Sequence, residues 1–406
     1  DLHRRRHSFP TRRSSDLIGE VQFSAGTNLN FGKYANHSVI KKVTQNAINF
    51  DTVSSDLNVA QYGFYVQSSG KLVDDLLQVS FGARVDGSNY SGNTKNALEQ
   101  FSPRFSLSYK FAKNWALNFN SGIYYQLPSY TALGYQNSAV LANQNTLKYI
   151  KNTHLVGGLE YNGENNLRFT LEGYFKRYTN YPFSLRNQIS LANVNGEFAV
   201  VGNEPLDSRG YGKTYGVEFL PQKRTINNYY GILAYTYGYS KFSDAAGNLL
   251  PSSWDTRHIL TITTGKYFKK NWNIGARFRL QSGLPETPYD LTRSALVNVW
   301  NVANGPVQDF TLLNTLRGNT AHQLDVRAEK KWIFKKWQFT AYLDIVNIYG
   351  SKNPSNLPVI SLQRDTNNNG VVANPSAPQD QQYYVLDKGV NDKSMPLPYF
   401  GFIFEF

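Results

Sequence analysis

The chain has no cysteine, a single methionine and no long apolar run in its 406 residues. Without cysteine there is no disulfide framework, no thiol nucleophile and no thiolate metal site. Without roughly 18 to 20 consecutive apolar residues no helix can span a bilayer, and the mean hydropathy of -0.46 is that of a polar protein. The histidines, His3, His7, His37, His154, His258 and His322, show no spacing that brings imidazoles to one metal. Serine, histidine and acid are nowhere arranged as a nucleophile with its base, so neither a catalytic residue nor a cofactor is expected. What abounds is aromatic: 28 Tyr, 25 Phe and 6 Trp make up 15% of the chain. High aromatic content at low hydropathy fits strands whose apolar face meets lipid while polar residues alternate behind it.

The stretch PYFGFIFEF, residues 398 to 406, shows the pattern at its plainest. Strand side chains alternate faces, so Phe400, Phe402, Phe404 and Phe406 lie on one side with Gly401, Ile403 and Glu405 on the other. An aromatic face that runs to the last residue points to an apolar partner outside the chain. The same period of two recurs from Glu20 onward: at residues 20 to 29, 60 to 68, 77 to 85, 102 to 111, 115 to 126, 153 to 161 and 166 to 178. It continues at 212 to 221, 228 to 241, 256 to 268, 271 to 281, 322 to 333, 337 to 348 and 397 to 406, giving fourteen predicted strands. Most have about ten residues, the length of a tilted strand that crosses a bilayer.

Connections alternate in length. Short turns fall at SSGKLVDD, FAKNW, NGENN, QKRTINN, FKKNW and FKKW, and long loops at 127 to 152, 179 to 211, 282 to 321 and 349 to 396. Membrane barrels sort their loops in this way, with tight turns on one rim and long loops on the other. Three of the turns carry aromatics around a basic tip and place Trp115, Trp272 and Trp337 where an interfacial girdle would lie. The stretch YYQLPSY, residues 124 to 130, reads as part of the opposite girdle or as aromatics on which a ligand stacks. DTNNNG, Asp365 to Gly370, opens like a calcium loop but has Ser376 where the bidentate acid belongs, so a polar turn is expected.

Charge decides which way each strand faces. In WNIGARFRLQ, Arg277 and Arg279 oppose Trp272, Ile274, Ala276, Phe278 and Leu280. Turned the other way, each arginine would cost about 2 to 4 kcal/mol near the bilayer midplane. Both therefore face the lumen, and by the same logic so do Arg84, Arg168, Glu172, Glu218, Asp325, Arg327 and Asp344. These nine are the candidate residues of a substrate pathway.

The first residues need separate treatment. Residues 1–17, DLHRRRHSFPTRRSSDL, hold five Arg and two Asp, and FPTRRSSDL resembles a translated sequencing adapter. They are set aside as a non-native leader, with residues 18–406 as the folded unit. Without the leader's +3 the net charge of +13 falls to +10. The remaining basic residues are spread over turns and alternate strand positions, so no nucleic-acid partner is expected.

Eight stretches together carry a resemblance. QFSPRFSLSYKF (100 to 111), GIYYQLPSYTALGY (122 to 135), YGVEFL (215 to 220), SSWDTRHIL (252 to 260), FRLQSGLPETPYD (278 to 290), HQLDVRAEKKW (322 to 332), AYLDIVNIYG (341 to 350) and FGFIFEF (400 to 406) resemble the C-terminal barrel of Bacteroidetes-type TonB-dependent outer-membrane receptors. The resemblance implies an all-β, transmembrane, antiparallel meander barrel of which about fourteen of an expected twenty-two strands are here, without the family's plug domain. It implies TonB-driven uptake of a scarce small ligand: an iron chelate, a cobalamin, an oligosaccharide or a peptide. The implied partners are outer-membrane lipid, the TonB complex through an N-terminal region outside this sequence, and the barrel assembly machinery, which would recognise the terminal Phe402, Phe404 and Phe406. A passive porin-like barrel and an outer-membrane enzyme are the alternatives, the first favoured if the strands near residue 20 and Phe406 pair into a closed barrel. If strands are missing, both edges are orphaned and residues 1–17 should lack regular structure or pack poorly.

Strand parity is open to direct test, because the chain contains no native thiol. Single-cysteine variants at 277 and 279 should react with a water-soluble maleimide in membranes while the variant at 278 stays protected. The reverse pattern would refute the facing of this strand.

Overall fold

A period-two segment is stable only where neighbours take up its backbone groups, so the alternation above demands a continuous ladder. The computed structural model describes residues 6–8, 14–18, 21–44, 47–137, 140–194, 202–226, 228–351, 355–389 and 394–406. Fourteen long strands build the main sheet. They are β1 (Val21–Thr44), β2 (Ala47–Leu72), β3 (Leu77–Ser88), β4 (Ser102–Ala112), β5 (Trp115–Gln126), β6 (Ile150–Asn162) and β7 (Leu167–Ser184). β8 (Leu206–Ile226), β9 (Tyr229–Ser243), β10 (His258–Phe268), β11 (Trp272–Gln281), β12 (Ala321–Ile333), β13 (Gln338–Val346) and β14 (Leu397–Glu405) complete it. Each pairs antiparallel with its neighbour in the chain, so the sheet is a simple meander.

Two features depart from the sequence reading. The ladder between β1 and β2 is unbroken from Val21↔Gly70 to Thr44↔Ala47, where alternation alone placed strands only near 20 to 29 and 60 to 68. In its upper half Leu57 and Val59 are buried against loops. Of the expectation that residues 1–17 lack regular structure or pack poorly, the first part is corrected for the described residues among them. Arg6–Ser8 pairs with Asn30 to Gly32, and Ser14–Ile18 pairs with Val21 to Ala25. An extended segment of almost any composition can satisfy the free amides of an edge strand. At the other edge β14 pairs with β13, and among the described residues no pairing joins β14 to β1.

The six tight turns read from the sequence lie on one rim, and on the other lie the long connections together with the close of the β1–β2 hairpin at Thr44↔Ala47. The long side is not loose. Leu133 and Leu147 are fully buried there, packed with Leu57, Val59, Tyr90, Tyr149, Leu191 and Leu206 into an apolar core. The main buried cluster thus sits above the sheet, where loops meet loops. Next to it Asp255, whose side chain is fully buried, receives the Arg257 Nε at 3.1 Å, the Arg317 guanidinium and the Ser240 backbone N–H at 2.5 Å. The Arg257 guanidinium lies 3.8 Å from the Tyr239 ring centroid. One carboxylate therefore ties the top of β9 to the loops before β10 and after β11.

Removing one partner of a buried ionic cluster costs about 3 to 5 kcal/mol, because the remaining charges lose their compensation. Asp255→Ala should therefore loosen this rim. Tryptic cleavage at Arg317 should accelerate by at least about tenfold while cleavage at the tight turns is unchanged. Equal cleavage in parent and variant would show that Asp255 does not hold the loops.

Candidate functional site

The register assigns every strand residue to a face. Paired residues share a side, and following the pairs from β3 to β13 places Arg84, Arg168, Glu172, Glu218, Arg277, Arg279, Asp325, Arg327 and Asp344 on one face of the sheet. The other face carries exposed apolar side chains, among them Phe23, Phe64, Phe81, Leu117, Leu171, Val217 and Ile274. Phe400, Phe402 and Phe404 belong to it, 77%, 68% and 57% exposed, and Phe406 follows at 99%. Trp115 and Trp272 open β5 and β11, and Trp337 immediately precedes β13, so all three stand at the tight-turn rim on the apolar side. Trp115 lies 4.9 Å from Tyr161, and Trp337 stacks on Phe334 at 4.2 Å.

The nine charged residues do not converge on one point. The largest group spans β11 to β13: Arg277 and Arg279 reach Asp325 at 2.9 and 3.2 Å, and Arg327 bridges Glu329 at 2.9 Å and Asp344 at 3.0 Å. Asp325 also accepts from Gln323 Nε2 at 2.5 Å and from the Asn347 N–H at 3.0 Å. Nearer the tight turns, Arg168 pairs with Glu160 at 3.0 Å. Glu172 and Glu218 stand directly opposite each other on β7 and β8.

Arg84 belongs to a separate cluster on the far side of the sheet, held by Asp86 at 2.5 Å and Asn28 at 2.7 Å. Gly63 makes room for it, because a Cβ there would fall 2.5 Å from both Asn28 Oδ1 and Asp86 Oδ1. This cluster forms the floor of a cleft of about 470 Å³ beneath the loop rim, walled by Gln61, Arg104, Tyr124, Tyr130 and Tyr149. The Arg104 guanidinium lies 4.5 Å from the Tyr124 ring, which in turn lies 4.5 Å from the His154 ring. Gln61 Nε2 donates to the Tyr130 hydroxyl at 3.1 Å. Tyr124 and Tyr130 thus line the inside, where YYQLPSY left an outward girdle open. Among the described residues no carboxylate lies within 4.0 Å of Arg104. The cleft therefore joins one cation without a carboxylate partner to tyrosines and amides, an arrangement suited to an anionic, planar, oxygen-rich group. Arg104 is legible in sequence only by parity: in SPRFSLSY it opposes Phe105 and Leu107.

Two other motifs resolve simply. Asp365 Oδ1 accepts from the backbone N–H groups of Asn367 and Asn369 at 2.9 and 2.8 Å, so DTNNNG closes as a hydrogen-bonded turn. His258 and His322 bond the hydroxyls of Tyr235 and Tyr349, both at 2.8 Å, and among the described residues no three metal-ligating side chains come together.

Burial pushes the Tyr149 phenol from its ordinary value of 10.0 up to about 12, with the nearby Asp86 carboxylate adding to the rise. The raised value means the neutral phenol is favoured in the fold, so this contribution is complete below pH 10 and is lost as pH climbs toward 12. Phenolate absorbance should show one fewer late-titrating tyrosine in Tyr149→Phe, with Tyr90, which burial also raises, still titrating late. That variant should also keep the cleft's near-ultraviolet circular dichroism at higher pH than the parent; a parent and variant that titrate alike would show that Tyr149 is not among the late groups.

No curated protein matches the chain in sequence. Among solved structures, the ferric-catecholate import receptor Fiu from E. coli K12 superposes with a TM-score of 0.57 at 10% identity, over 96% of this chain and 53% of that one. The copper transporter OprC gives 0.58 at 12% identity, over 97% and 55%. The pyoverdine outer membrane receptor FpvA from Pseudomonas aeruginosa PAO1, bound to pyoverdine, gives 0.56 at 16% identity, over 84% and 48%. The chain spans about half the length of these structures, and at such identities the likeness is one of fold. In sequence, residues 3–348 match the β-barrel of the TonB dependent receptor-like family. With the meander, the sorted loops and the two-faced sheet already in view, that match over most of the chain decides the matter: this protein belongs to the TonB-dependent receptor β-barrel family.

Proposed function

We propose that the chain forms the wall and outer rim of an outer-membrane receptor that imports a scarce ligand under TonB control. The single observation that carries this reading is the division of the sheet into a charged face and an apolar face with tight turns gathered on one rim. The apolar face meets outer-membrane lipid, Trp115, Trp272 and Trp337 mark its periplasmic boundary, and the strand ending in Phe402, Phe404 and Phe406 is the segment the barrel assembly machinery takes up. TonB is the energy-coupling partner. The similarity in fold to a ferric-catecholate import receptor and to a pyoverdine receptor supports a metal chelate as the ligand class.

Within that class the cleft favours an anionic chelate. Arg104 and the tyrosines around it supply first contact at the rim, and the ladder of Arg277, Arg279, Asp325, Arg327 and Asp344 gives the passing ligand exchangeable polar partners. The loop core on the long-loop rim argues against a freely open pore, since loops packed around Leu133 and Leu147 cover part of the entrance.

A panel of radiolabelled ferric catecholates and ferric hydroxycarboxylates tests the reading in cells that depend on the receptor. Uptake should require TonB and an energised inner membrane. Arg104→Ala should weaken binding of the favoured chelate by roughly tenfold or more, the loss of one charge-assisted contact. TonB-independent uptake would replace this reading with a passive pore, and unaltered affinity in Arg104→Ala would move the ligand site elsewhere.

A further inference from the structure

The apolar face holds one feature that plain lipid contact does not explain. On it, Arg177 of β7, Lys213 of β8 and Lys241 of β9 stand in a single hydrogen-bonded row, Arg177 opposite Lys213 and Lys213 opposite Lys241. Neighbouring strands are about 4.8 Å apart, so three cations lie within roughly 10 Å. Like charges directly opposite one another are destabilising in a sheet. Among the described residues none of the three has a carboxylate within 4.0 Å. Lys213 Nζ is 5.8 Å from the Tyr215 ring, so its stem lies over the aromatic row below.

The row is not part of a basic belt around the sheet. Its next members along the same ladder are Thr153 and Ile123 on one side and Pro251 on the other. Its depth is also informative. From the level of Trp115, Tyr161 and Phe169 to the level of Thr153 and Arg177 is eight residues along the strand. That is about 26 Å of strand, or about 20 Å of height at a tilt near 40°, about 5 Å short of the roughly 25 Å apolar band of a membrane barrel, a gap that the long arginine and lysine side chains span. The cations therefore stand at the outer boundary of the hydrocarbon, where lipid headgroups begin.

Directly beneath them the apolar face is hollow. Gly157 and Gly173 sit opposite each other and open a groove of about 480 Å³ walled by Leu155, Phe175, Val217 and Tyr237. A Cβ at either glycine would meet nothing nearer than 3.9 Å, so the groove is empty space and not a tight backbone approach. A comparable groove between Phe23, Val66 and Phe81 has only Thr27, Phe64 and Val85 on the row above it, with no cation.

Resting on the membrane reading above, we propose that this patch binds a phosphate-bearing lipid of the outer leaflet, its phosphate on Arg177, Lys213 and Lys241 and an acyl chain in the Gly157–Gly173 groove. Charge complementarity selects the headgroup, and the groove selects a lipid over a free anion.

The chain purified in a neutral detergent is reconstituted into phosphatidylcholine vesicles doped with phosphatidic acid, and bound lipid is measured by native mass spectrometry. Flotation with vesicles is scored first, because failure to float would break the membrane reading and not this one. The triple variant Arg177→Gln, Lys213→Gln, Lys241→Gln should float normally yet lose phosphatidic acid by roughly a hundredfold, at about fivefold per cation. Gly157→Leu with Gly173→Leu, which fills the groove and keeps the cations, should also lose it, and inorganic phosphate should compete poorly with the parent. Retention by the triple variant would overturn the site. Retention by the filled-groove variant, with phosphate competing as well as lipid, would overturn the lipid assignment.

Discussion

Everything in this protein depends on an unbroken antiparallel ladder. Along the meander, from β1 to β14, backbone groups at bilayer depth pair with the neighbouring strand, because hydrocarbon offers no other partner; among the described residues the far edge of β14 has no pairing. Pairing at that density leaves no freedom of register, and a period of two then converts register into facing. A residue on β3 and a residue on β13 know which side they are on through the chain of pairs between them. The separation of nine charged residues from the phenylalanines is the consequence.

The two faces handle charge differently. Inside, arginines and carboxylates neutralise one another in short chains, as Asp325 does for Arg277 and Arg279. Against that background, Arg104 on the inner face and the row Arg177, Lys213 and Lys241 on the outer one have no carboxylate within 4.0 Å among the described residues. Both lie high on the sheet, toward the long loops.

The loops are structured by a different physics. Below the rim, apolar side chains gain nothing by clustering, since lipid tails are as apolar as they are. Above it water returns, and burial of Leu57, Leu133, Leu147 and Tyr149 becomes the driving force. The core of a soluble domain is thus built on top of a membrane wall. The buried carboxylate of Asp255 fits the same picture, with two guanidiniums and a backbone amide in place of water.

Strand number, strand facing and the rim sorting of the loops were legible in the sequence, because all three follow from alternation and turn chemistry, which are local. The facing of Arg277 against Phe278, and the aromatic run that ends at Phe406, needed no fold to read. The upper half of the hairpin between β1 and β2 was not legible, since Leu57 and Val59 there pack on loops. Nor was the pairing of residues 6–8 and 14–18, which backbone hydrogen bonds alone decide. The cleft and the cation row were out of reach for one reason. Arg104 and Tyr124, like Arg177, Lys213 and Lys241, lie on separate strands, and which residues stand abreast is set by register between strands. A sequence states which face each side chain takes; only the assembled ladder decides which of them meet.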